Sequence, residues 1–350
     1  MTIPPGLSVS NSKMTNKVCR LHKSLYGIKQ VSRQWNHKLT HTHTLLYLGY
    51  KQSYGVHPLF TKSTNTSFIA LLVYVDDLVL AGNDMSEISS VKFVLDDRFR
   101  IKDLSALRFF LGLEISRSSH GISLNQRKYI LDLLVDSGLL AAKPVSMPCD
   151  PAFKFTNTRS ASFSDVTACR RLIGRLIYLS TTRPDIAYYV QQLSQYLFKP
   201  LQSHFQAAIH ILRYLKSAPS QRLFFPAANS LQLTGFADSD WACCIDTRKS
   251  ITRYCVFLGS AIISWKSKKQ ETVSASSYEA EYRALAKLTR EIQWLNYILA
   301  DLQVHATAPS VLYCDNKSAI HLAHNSTSMN APNTSKLTAI LSAKRFNRVS

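Results

Sequence analysis

The chain has 350 residues, 46% of them hydrophobic, which favours two or three domains with real cores and excludes a disordered tail. Lys and Arg number 42 against 22 Asp and Glu, a formal net charge of +20. An excess of this size predicts a polyanionic partner, because neutralising phosphates releases counterions. A basic membrane-surface protein or a ribosomal-type protein would share this charge.

Signal-peptide patterns and Cys-x-x-Cys spacings are absent from the sequence. No run of about 18 apolar residues occurs, and residues 1–6 lack the basic-then-apolar pattern of a signal peptide. We therefore expect no membrane segment and an intracellular location, cytoplasmic or nuclear. The seven cysteines include no Cys-x-x-Cys pair, so neither a zinc module nor a disulfide framework is indicated.

The first predicted element is a helix over residues 20–48. Its apolar residues recur at helical spacing with basic residues between them. The pattern indicates an amphipathic helix with a basic exposed side.

Two adjacent acids, Asp76 and Asp77, follow between the apolar runs 68–73 and 78–81. Both runs are rich in Val, Leu and Ile, which predicts two strands joined by a hairpin turn at the acids. Carboxylates that lose solvation between strands need a cation, and Mg²⁺ prefers such oxygen ligands. The alternative is that the pair serves only as turn chemistry.

Helices and a linker come next. Residues 84–99 are helix-like, and residues 102–115 end as a strand. Residues 126–140 and 165–218 are helical in pattern. The stretch 144–164, with its Pro and Ser residues, is the predicted linker between them.

From residue 231 the pattern becomes three strands, a long helix, a strand and a helix. The predicted strands are residues 231–237, 253–258, 261–265 and 311–314. Ser276 and Glu279 form a predicted capping box that opens the long helix, and Ala319 lies at the start of the last one. This order of elements is that of the ribonuclease H fold.

Three acids occupy comparable places in these elements. Asp238 is predicted to end the first strand, Glu281 to lie in the first turns of the helix, and Asp315 to end the fourth strand. All three would then meet at one edge of the sheet, where two metal ions can drive phosphodiester hydrolysis. Each has an ordinary alternative: Asp238 or Asp240 as turn residues, and Asp315 as a helix N-cap. Glu279 is the alternative acid in the helix, as a capping partner.

Eight segments carry a joint resemblance to a known family. They are residues 25–30 with 33–35, 74–77 (Tyr-Val-Asp-Asp), 110–115, 171–179, 182–186 (Thr-Arg-Pro-Asp-Ile), 237–242, 276–285 and 313–319. Together, in the family's order and over roughly residues 4–325, they resemble the Pol polyprotein of copia-type LTR retrotransposons.

The resemblance implies an α/β protein built from a reverse transcriptase α+β palm remnant, a helical thumb or connection, and a ribonuclease H-like α/β domain. The corresponding bounds are residues 1–118, 119–226 and 227–325, followed by a divergent tail at 326–350. The implied family role is copying RNA into DNA and degrading the RNA strand of hybrids by two-metal chemistry.

The resemblance also implies catalytic, metal-binding residues. Asp76 and Asp77 would serve the polymerase site, and Asp238, Glu281 and Asp315 the ribonuclease H site, with Mg²⁺ or Mn²⁺ as cofactor. The implied partner is an RNA/DNA hybrid or single-stranded nucleic acid. Its expected contacts are Lys23, Lys29, Gln30, Arg33, Phe110, Gly112, Lys266 and Lys268.

Two of these contact regions have alternatives. Residues 110–112 resemble the primer-grip hairpin, or they form an ordinary hairpin core. Lys266 and Lys268 belong to a basic cluster expected on the loops around the second and third strands of the ribonuclease H-like part. The cluster either tracks phosphates or is a solvated edge.

The chain departs from the family pattern at both ends. A further metal-binding aspartate of the family lies upstream of the segment matched by residues 1–6, so we expect no templated synthesis from this polypeptide. Ala343 and Arg345 stand where the family has an Asp and a His, so hydrolysis is expected to be weak or lost. The alternatives are a non-catalytic basic nucleic-acid-binding relic, or a relic with no selected role.

Overall fold

The computed structural model describes residues 44–156, 160–304, 308–324 and 340–342. The chain divides into two compact units, residues 1–103 and 104–350, and the finer division into four parts stays a prediction. Of the helix predicted at 20–48, only α1 (Thr44–Tyr47) lies among the described residues. No helix in the described ranges is long and apolar enough to cross a membrane.

The first unit contains an antiparallel sheet and a helix. Its strands, in spatial order, are β1 (Lys51–Gln52), β2 (Leu59–Ser63), β3 (Phe68–Tyr74) and β4 (Asp77–Gly82). Helix α2 (Met85–Phe99) begins after Asp84, whose carboxylate accepts hydrogen bonds from the N–H groups of Ser86 and Glu87. Apolar residues of the sheet and helix form one core, which confirms the predicted strand pair and helix.

The second unit begins with another antiparallel sheet. Its strands are β5 (Phe109–Phe110), β6 (Leu113–Ser118), β7 (Gly121–Asn125) and β8 (Leu223–Pro226), adjacent in that order. The strand predicted to end at residue 115 is therefore present and continues to Ser118. Strand β8 comes from far along the chain. The helical segment is therefore inserted in the sequence between two strands, β7 and β8, that are neighbours in this sheet.

The described residues of that segment contain four helices. They are α3 (Arg127–Asp136), α4 (Val166–Leu179), α5 (Ala187–Ser194) and α6 (Gln202–Ser217), with a 3-10 turn at Pro184–Ile186. Their apolar stripes pack into one core that includes Ile173, Leu176 and Ile211. The helices predicted at 126–140 and 165–218 are present, but the first ends at Asp136 and the second stretch is divided into three helices. The described part of the predicted linker at 144–164 contains no helix.

A buried ion pair fixes the turn between α4 and α5. The side chain of Arg183 is 1% exposed, and its Nε and Nη2 donate to the carboxylate of Asp185 at 3.0 and 2.7 Å. Its Nη1 donates to the carbonyl oxygen of Ala218 at 3.0 Å, and the Tyr214 hydroxyl donates to Asp185 at 2.8 Å. The Thr-Arg-Pro-Asp-Ile motif at residues 182–186 thus connects this turn to α6 and to the residue that follows it.

The last sheet has five strands. They are β9 (Leu233–Asp240), β10 (Ile251–Leu258), β11 (Ala261–Lys269), β12 (Val311–Tyr313) and β13 (Ile340–Ser342), in the spatial order β11-β10-β9-β12-β13. Strands β9 to β11 are antiparallel neighbours, whereas β12 runs parallel to both β9 and β13. The order predicted from residue 231 onward is confirmed, and β13 adds a strand from the segment expected to diverge.

Helix α7 (Ser277–Asp301) packs against this sheet, and α8 (Lys317–His324) follows β12. The helix approaches β9 closely at Gly235, where a Cβ would lie 2.8 Å from side-chain atoms of Leu288 and Ile292. The predicted cap of α7 is present: Ser276 Oγ accepts from the N–H of Glu279 at 3.3 Å. Glu279 reaches back to the N–H of Ala275 at 2.7 Å, one residue before the usual capping-box position.

Alanine substitutions at two glycines are expected to change the free energy of unfolding in opposite directions. Gly121 has a φ of +147°, and a Cβ there would collide with the Phe225 carbonyl oxygen and lie 2.9 Å from Pro226 Cα. We expect Gly121→Ala to reduce the free energy of unfolding by about 2 kcal/mol. Gly174 lies in α4 with nothing within 4 Å, so Gly174→Ala should raise it by about 0.5–1 kcal/mol. Urea unfolding of the full chain measures both, and equal effects would contradict the close approach at Gly121.

Candidate active site

The adjacent acids of the first unit occupy a tight turn. Val75 and Asp76 connect β3 to β4, and Tyr74 pairs with Asp77 across the hairpin, as predicted. Val75 has a φ of 51°, which is uncommon for a β-branched residue. Both aspartates are exposed, so the expectation that they lose solvation is wrong. Within the described ranges, no other acid, His or Cys joins them in a group of three that could hold a metal.

Asp238 lies inside a strand of the second unit. Because side chains alternate along β9, Asp238 and Asp240 share one face of the sheet. Arg253 of β10 is the cross-strand partner of Asp238. Its Nη2 lies 2.7 Å from Asp238 Oδ2 and 2.5 Å from Asp240 Oδ1. The guanidinium also lies over the Tyr188 ring, 5.3 Å from its centroid.

The prediction that Asp238 ends its strand is therefore wrong, and so is the alternative that Asp238 or Asp240 is a turn residue. Strand β9 continues through Asp240, which pairs with Ile251 at the start of β10. The positive charge of Arg253 offsets the negative charges of Asp238 and Asp240. The two carboxylates can therefore lie two residues apart on the same face of β9. The sequence offered no local signal for this pairing, because Arg253 is 15 residues away from Asp238.

Glu281 and Asp315 lie close together in a cluster with Cys314. Their carboxylate oxygens and the Cys314 sulfur all lie within 4.8 Å of one another. Glu281 is buried, and its Oε1 accepts from the backbone N–H of Ser239 at 2.9 Å, while the Cys314 thiol lies 3.8 Å from Oε2. The structure thus brings two of the three predicted acids together. Asp238 lies outside this group of three, with its carboxylate on Arg253.

The protonation of this cluster follows from its surroundings. The pKa of Glu281 is raised to about 7, chiefly by burial and also by the charges of Asp238 and Asp315, against the opposing hydrogen bond from Ser239. Burial and the adjacent carboxylates also raise the pKa of the Cys314 thiol to about 11, so the thiol is protonated at neutral pH. A buried carboxylate that resists ionisation beside two others is a place where a divalent cation is favourable. Oxygen ligands of this kind fit Mg²⁺ or Mn²⁺.

The N-cap alternative for Asp315 is wrong. Asn316 occupies that role, because its Oδ1 accepts from the N–H of Ala319 at 3.0 Å in the first turn of α8. The capping alternative for Glu279 is correct: this acid caps α7 and pairs with Arg283 at 2.5 Å. Glu281, one half-turn later, is the acid that points into the cluster.

A cleft gives access to Asp238 and Asp315. Its volume is about 870 Å³, and it lies between residues 184–188 and the sheet. The charged residues that line it are Asp185, Asp238, Asp240, Arg253, Lys266 and Asp315. The indole N–H of Trp265, another lining residue, donates to the Ser180 carbonyl oxygen at 2.9 Å, which ties β11 to the end of α4.

Comparison with known proteins decides the family. Residues 1–151 match the family described as reverse transcriptase (RNA-dependent DNA polymerase). The chain is 41% identical over 325 residues to the retrovirus-related Pol polyprotein from transposon RE1 of Arabidopsis thaliana, covering 93% of this chain and 22% of that protein. It is 32% identical over 292 residues to the putative transposon Ty5-1 protein of Saccharomyces cerevisiae, covering 83% and 94%. The chain belongs to the copia-type Pol family.

The resemblance to copia-type Pol proteins inferred from the motifs is thus confirmed. An uncharacterized mitochondrial protein of Arabidopsis thaliana is 40% identical over 224 residues, which cover 64% of this chain and 93% of that protein. The chain spans about a fifth of the length of the RE1 and RE2 polyproteins. No solved structure matches the chain.

The hairpin predicted to resemble the copia-type primer grip is present as β5 and β6. Leu111 and Gly112 form its turn with φ values of 49° and 74°, as a tight two-residue hairpin requires. The Tyr178 hydroxyl donates to the Leu111 carbonyl oxygen, and a Cβ at Gly112 would lie 2.6 Å from that hydroxyl. The hairpin turn therefore packs on α4, whereas contacts of Phe110 and Gly112 with nucleic acid stay a prediction.

The predicted basic contacts of this copia-type Pol chain divide into two groups. Lys23, Lys29, Gln30 and Arg33 lie outside the described residues. Lys266 and Lys268 are exposed, but the prediction that they lie in a loop is wrong. They belong to β11, where they pair with Tyr254 and Thr252 of β10, and this pairing extends the strand past Trp265.

Proposed function

We propose that the second unit carries a ribonuclease H-type site that hydrolyses the RNA strand of RNA/DNA hybrids with divalent metal ions. One observation carries the proposal: Glu281 and Asp315 meet beside β9, the strand that bears Asp238. Strands β9 and β12 are parallel neighbours, so acids near their carboxyl ends face the same edge. The strand order and the resemblance of the three acid-bearing motifs support it.

The acids have separate tasks in this mechanism. Glu281 and Asp315 would hold metal directly, and Asp238 would join them when its carboxylate leaves Arg253. When bound, two such ions generate a hydroxide nucleophile and stabilise the leaving oxygen of the phosphodiester.

The surrounding residues orient these acids. The Ser239 N–H fixes Glu281 Oε1, so that carboxylate is held in place before any substrate arrives. Asn316 caps α8, which spares Asp315 that role. Cys314 stays a neutral thiol and lies against Glu281 without adding charge.

Copying RNA into DNA is the corresponding proposal for the polymerase part of the family. Asp76 and Asp77 would supply two of its metal ligands from the exposed turn. Among the described residues the exposed turn offers only these two acids, whereas in the second unit Glu281 and Asp315 meet beside the strand that bears Asp238. We therefore assign hydrolysis as the activity to test first.

The test is RNA release from a labelled RNA/DNA hybrid with Mg²⁺ or Mn²⁺. We expect Glu281→Gln and Asp238→Asn each to reduce the rate by about 100-fold or more, since each removes a metal-binding charge. The matched control is Glu279→Gln, the same substitution in the same helix turn, which should leave the rate within about threefold because Glu279 caps α7 and pairs with Arg283, outside the acid cluster. A rate indifferent to Asp238→Asn would refute the assignment.

The second candidate is a binding protein without turnover. The net charge of +20 favours it, because such an excess alone gives nucleic-acid affinity. Steep salt dependence of hybrid binding, with no cleavage under either metal, would select this alternative.

A further inference from the structure

A second cavity lies between α7 and the edge strand β11. Its volume is about 250 Å³. The residues that line it are Thr252, Tyr254, Lys266, Lys268, Lys287, Arg290 and Glu291. We name its four cationic residues, Lys266, Lys268, Lys287 and Arg290, the basic groove.

Secondary structure places these cations on facing surfaces. Lys266 and Lys268 are two residues apart in β11, so both side chains leave the same face of the sheet. Lys287 and Arg290 are three residues apart in α7, so they lie on one side of the helix. Arg283, one turn before Lys287, continues the row toward the start of α7.

The charge of the groove is not balanced by ion pairs. In the part of the chain that the structure describes, none of its four cations has a carboxylate partner in a salt bridge. The lining acid Glu291 accepts hydrogen bonds from the hydroxyls of Tyr254 and Ser264, at 3.0 and 2.7 Å. Its carboxylate is therefore directed at the floor of the groove.

The cations also act on one another. Burial lowers the pKa of Lys287, and the charges of Lys268, Lys266 and Arg283 lower it further, only partly opposed by Glu271. Like charges held this close repel, and an anion placed between them would remove that repulsion. The charge of the groove therefore favours binding of an anionic ligand.

The groove lies on the face of the sheet that packs against α7, opposite the face that bears Asp238 and Arg253. Lys266 and Tyr254 contribute to the lining of both cavities. A chain of phosphates spaced along a backbone matches a row of separate cations better than a single small anion does.

We propose that the basic groove binds the phosphodiester backbone of a nucleic-acid strand. The proposal adds a binding surface to the hydrolytic function and rests on that function for the identity of the ligand, an RNA/DNA hybrid. The groove positions substrate by its backbone and carries no base specificity.

The test uses the full chain and a fluorescein-labelled RNA/DNA hybrid in EDTA, so that binding is measured without cleavage. We expect Lys268→Ala/Lys287→Ala to weaken binding about tenfold or more near 0.1 M salt and to reduce the slope of log affinity against log salt by about 2. The single variant Arg290→Ala, at an exposed position, should reduce the slope by about 1.

The matched control is Arg117→Ala/Lys199→Ala, which removes the same charge from two exposed positions elsewhere in the second unit. If this control weakened hybrid binding by the same factor, the groove would be rejected as the binding site and the effect would be one of net charge only. Loss of binding to anionic phospholipid vesicles with unchanged hybrid binding would overturn it in favour of a membrane surface. Weakened hybrid binding with no hydrolysis under Mg²⁺ would keep the groove and reject the hydrolase, whereas hydrolysis with unchanged binding would do the reverse.

Discussion

Arg253→Ala is expected to tighten Mn²⁺ binding to the full chain by about tenfold and to speed hybrid cleavage correspondingly. The reason lies in the two carboxylates that Arg253 now engages. Its guanidinium donates to Asp238 at 2.7 and 3.1 Å and to Asp240 at 2.5 Å. A divalent ion that needs Asp238 must displace this cation or bind beside it.

The size of the effect follows from charge and geometry. Two unit charges about 4 Å apart interact by about 4 kcal/mol at the effective dielectric typical of protein surfaces. Only part of this is regained on removing Arg253, because the freed carboxylates of Asp238 and Asp240 regain water that the metal ion must then displace. A net gain of about 1.4 kcal/mol corresponds to the expected factor of ten.

Titration with Mn²⁺, followed by electron paramagnetic resonance of the free ion, measures this affinity without any turnover. Arg253→Lys keeps the charge and should bind Mn²⁺ as weakly as the parent chain. Arg248→Ala is the matched control, since it removes an exposed arginine of the loop before β10. Adding Asp238→Asn to Arg253→Ala should abolish the gain, and unchanged Mn²⁺ affinity in Arg253→Ala would contradict the competition.

Local sequence patterns sufficed for much of this fold. The apolar runs around Asp76 and Asp77 predict the β3–β4 hairpin, because alternation and turn chemistry are properties of neighbouring residues. The cap at Ser276 likewise predicts where α7 begins, since it depends on a contact only three residues long.

The features that sequence reasoning missed depend on contacts between distant residues. Asp238 and Asp240 have the composition of a turn, and only the register against β10 reveals Arg253 as their partner. Lys266 and Lys268 resemble loop residues for the same reason, although β10 holds them in a strand. The exposure of Asp76 is equally a property of the assembled sheet, not of its flanking apolar runs.

Asp185→Asn is expected to cause the largest loss of stability in the second unit. The substitution leaves the Arg183 guanidinium charged and 1% exposed, with only neutral acceptors: the amide oxygen of the substituted side chain and the Ala218 carbonyl oxygen. Removing one partner of a buried ion pair typically costs about 3–5 kcal/mol, mostly because the other charge stays buried. We expect a loss of about 3 kcal/mol, since the Asp185 side chain itself is 23% exposed.

Urea unfolding followed by tryptophan fluorescence measures this loss, because Trp265 contacts the end of α4 through Ser180. Tyr214→Phe is the matched control. It removes one hydrogen bond to Asp185 but keeps the ion pair, so it should cost only about 1 kcal/mol. Equal effects of the two variants would mean that the pair adds nothing beyond its hydrogen bonds.

The ion pair between Arg183 and Asp185 also makes the stability of the folded chain depend on pH. Burial alone would raise the pKa of Asp185, but the hydrogen bonds and charge of Arg183 outweigh it and hold the pKa below its ordinary value. A carboxyl group whose pKa is lower in the folded chain stabilises fully above its unfolded pKa, about 3.9, and loses this contribution as the pH falls through the folded value. The difference in stability between the parent chain and Asp185→Asn should therefore be constant near neutral pH and shrink below about pH 4. A difference that stays constant down to about pH 2 would contradict an ionised Asp185 as the source of the stabilisation.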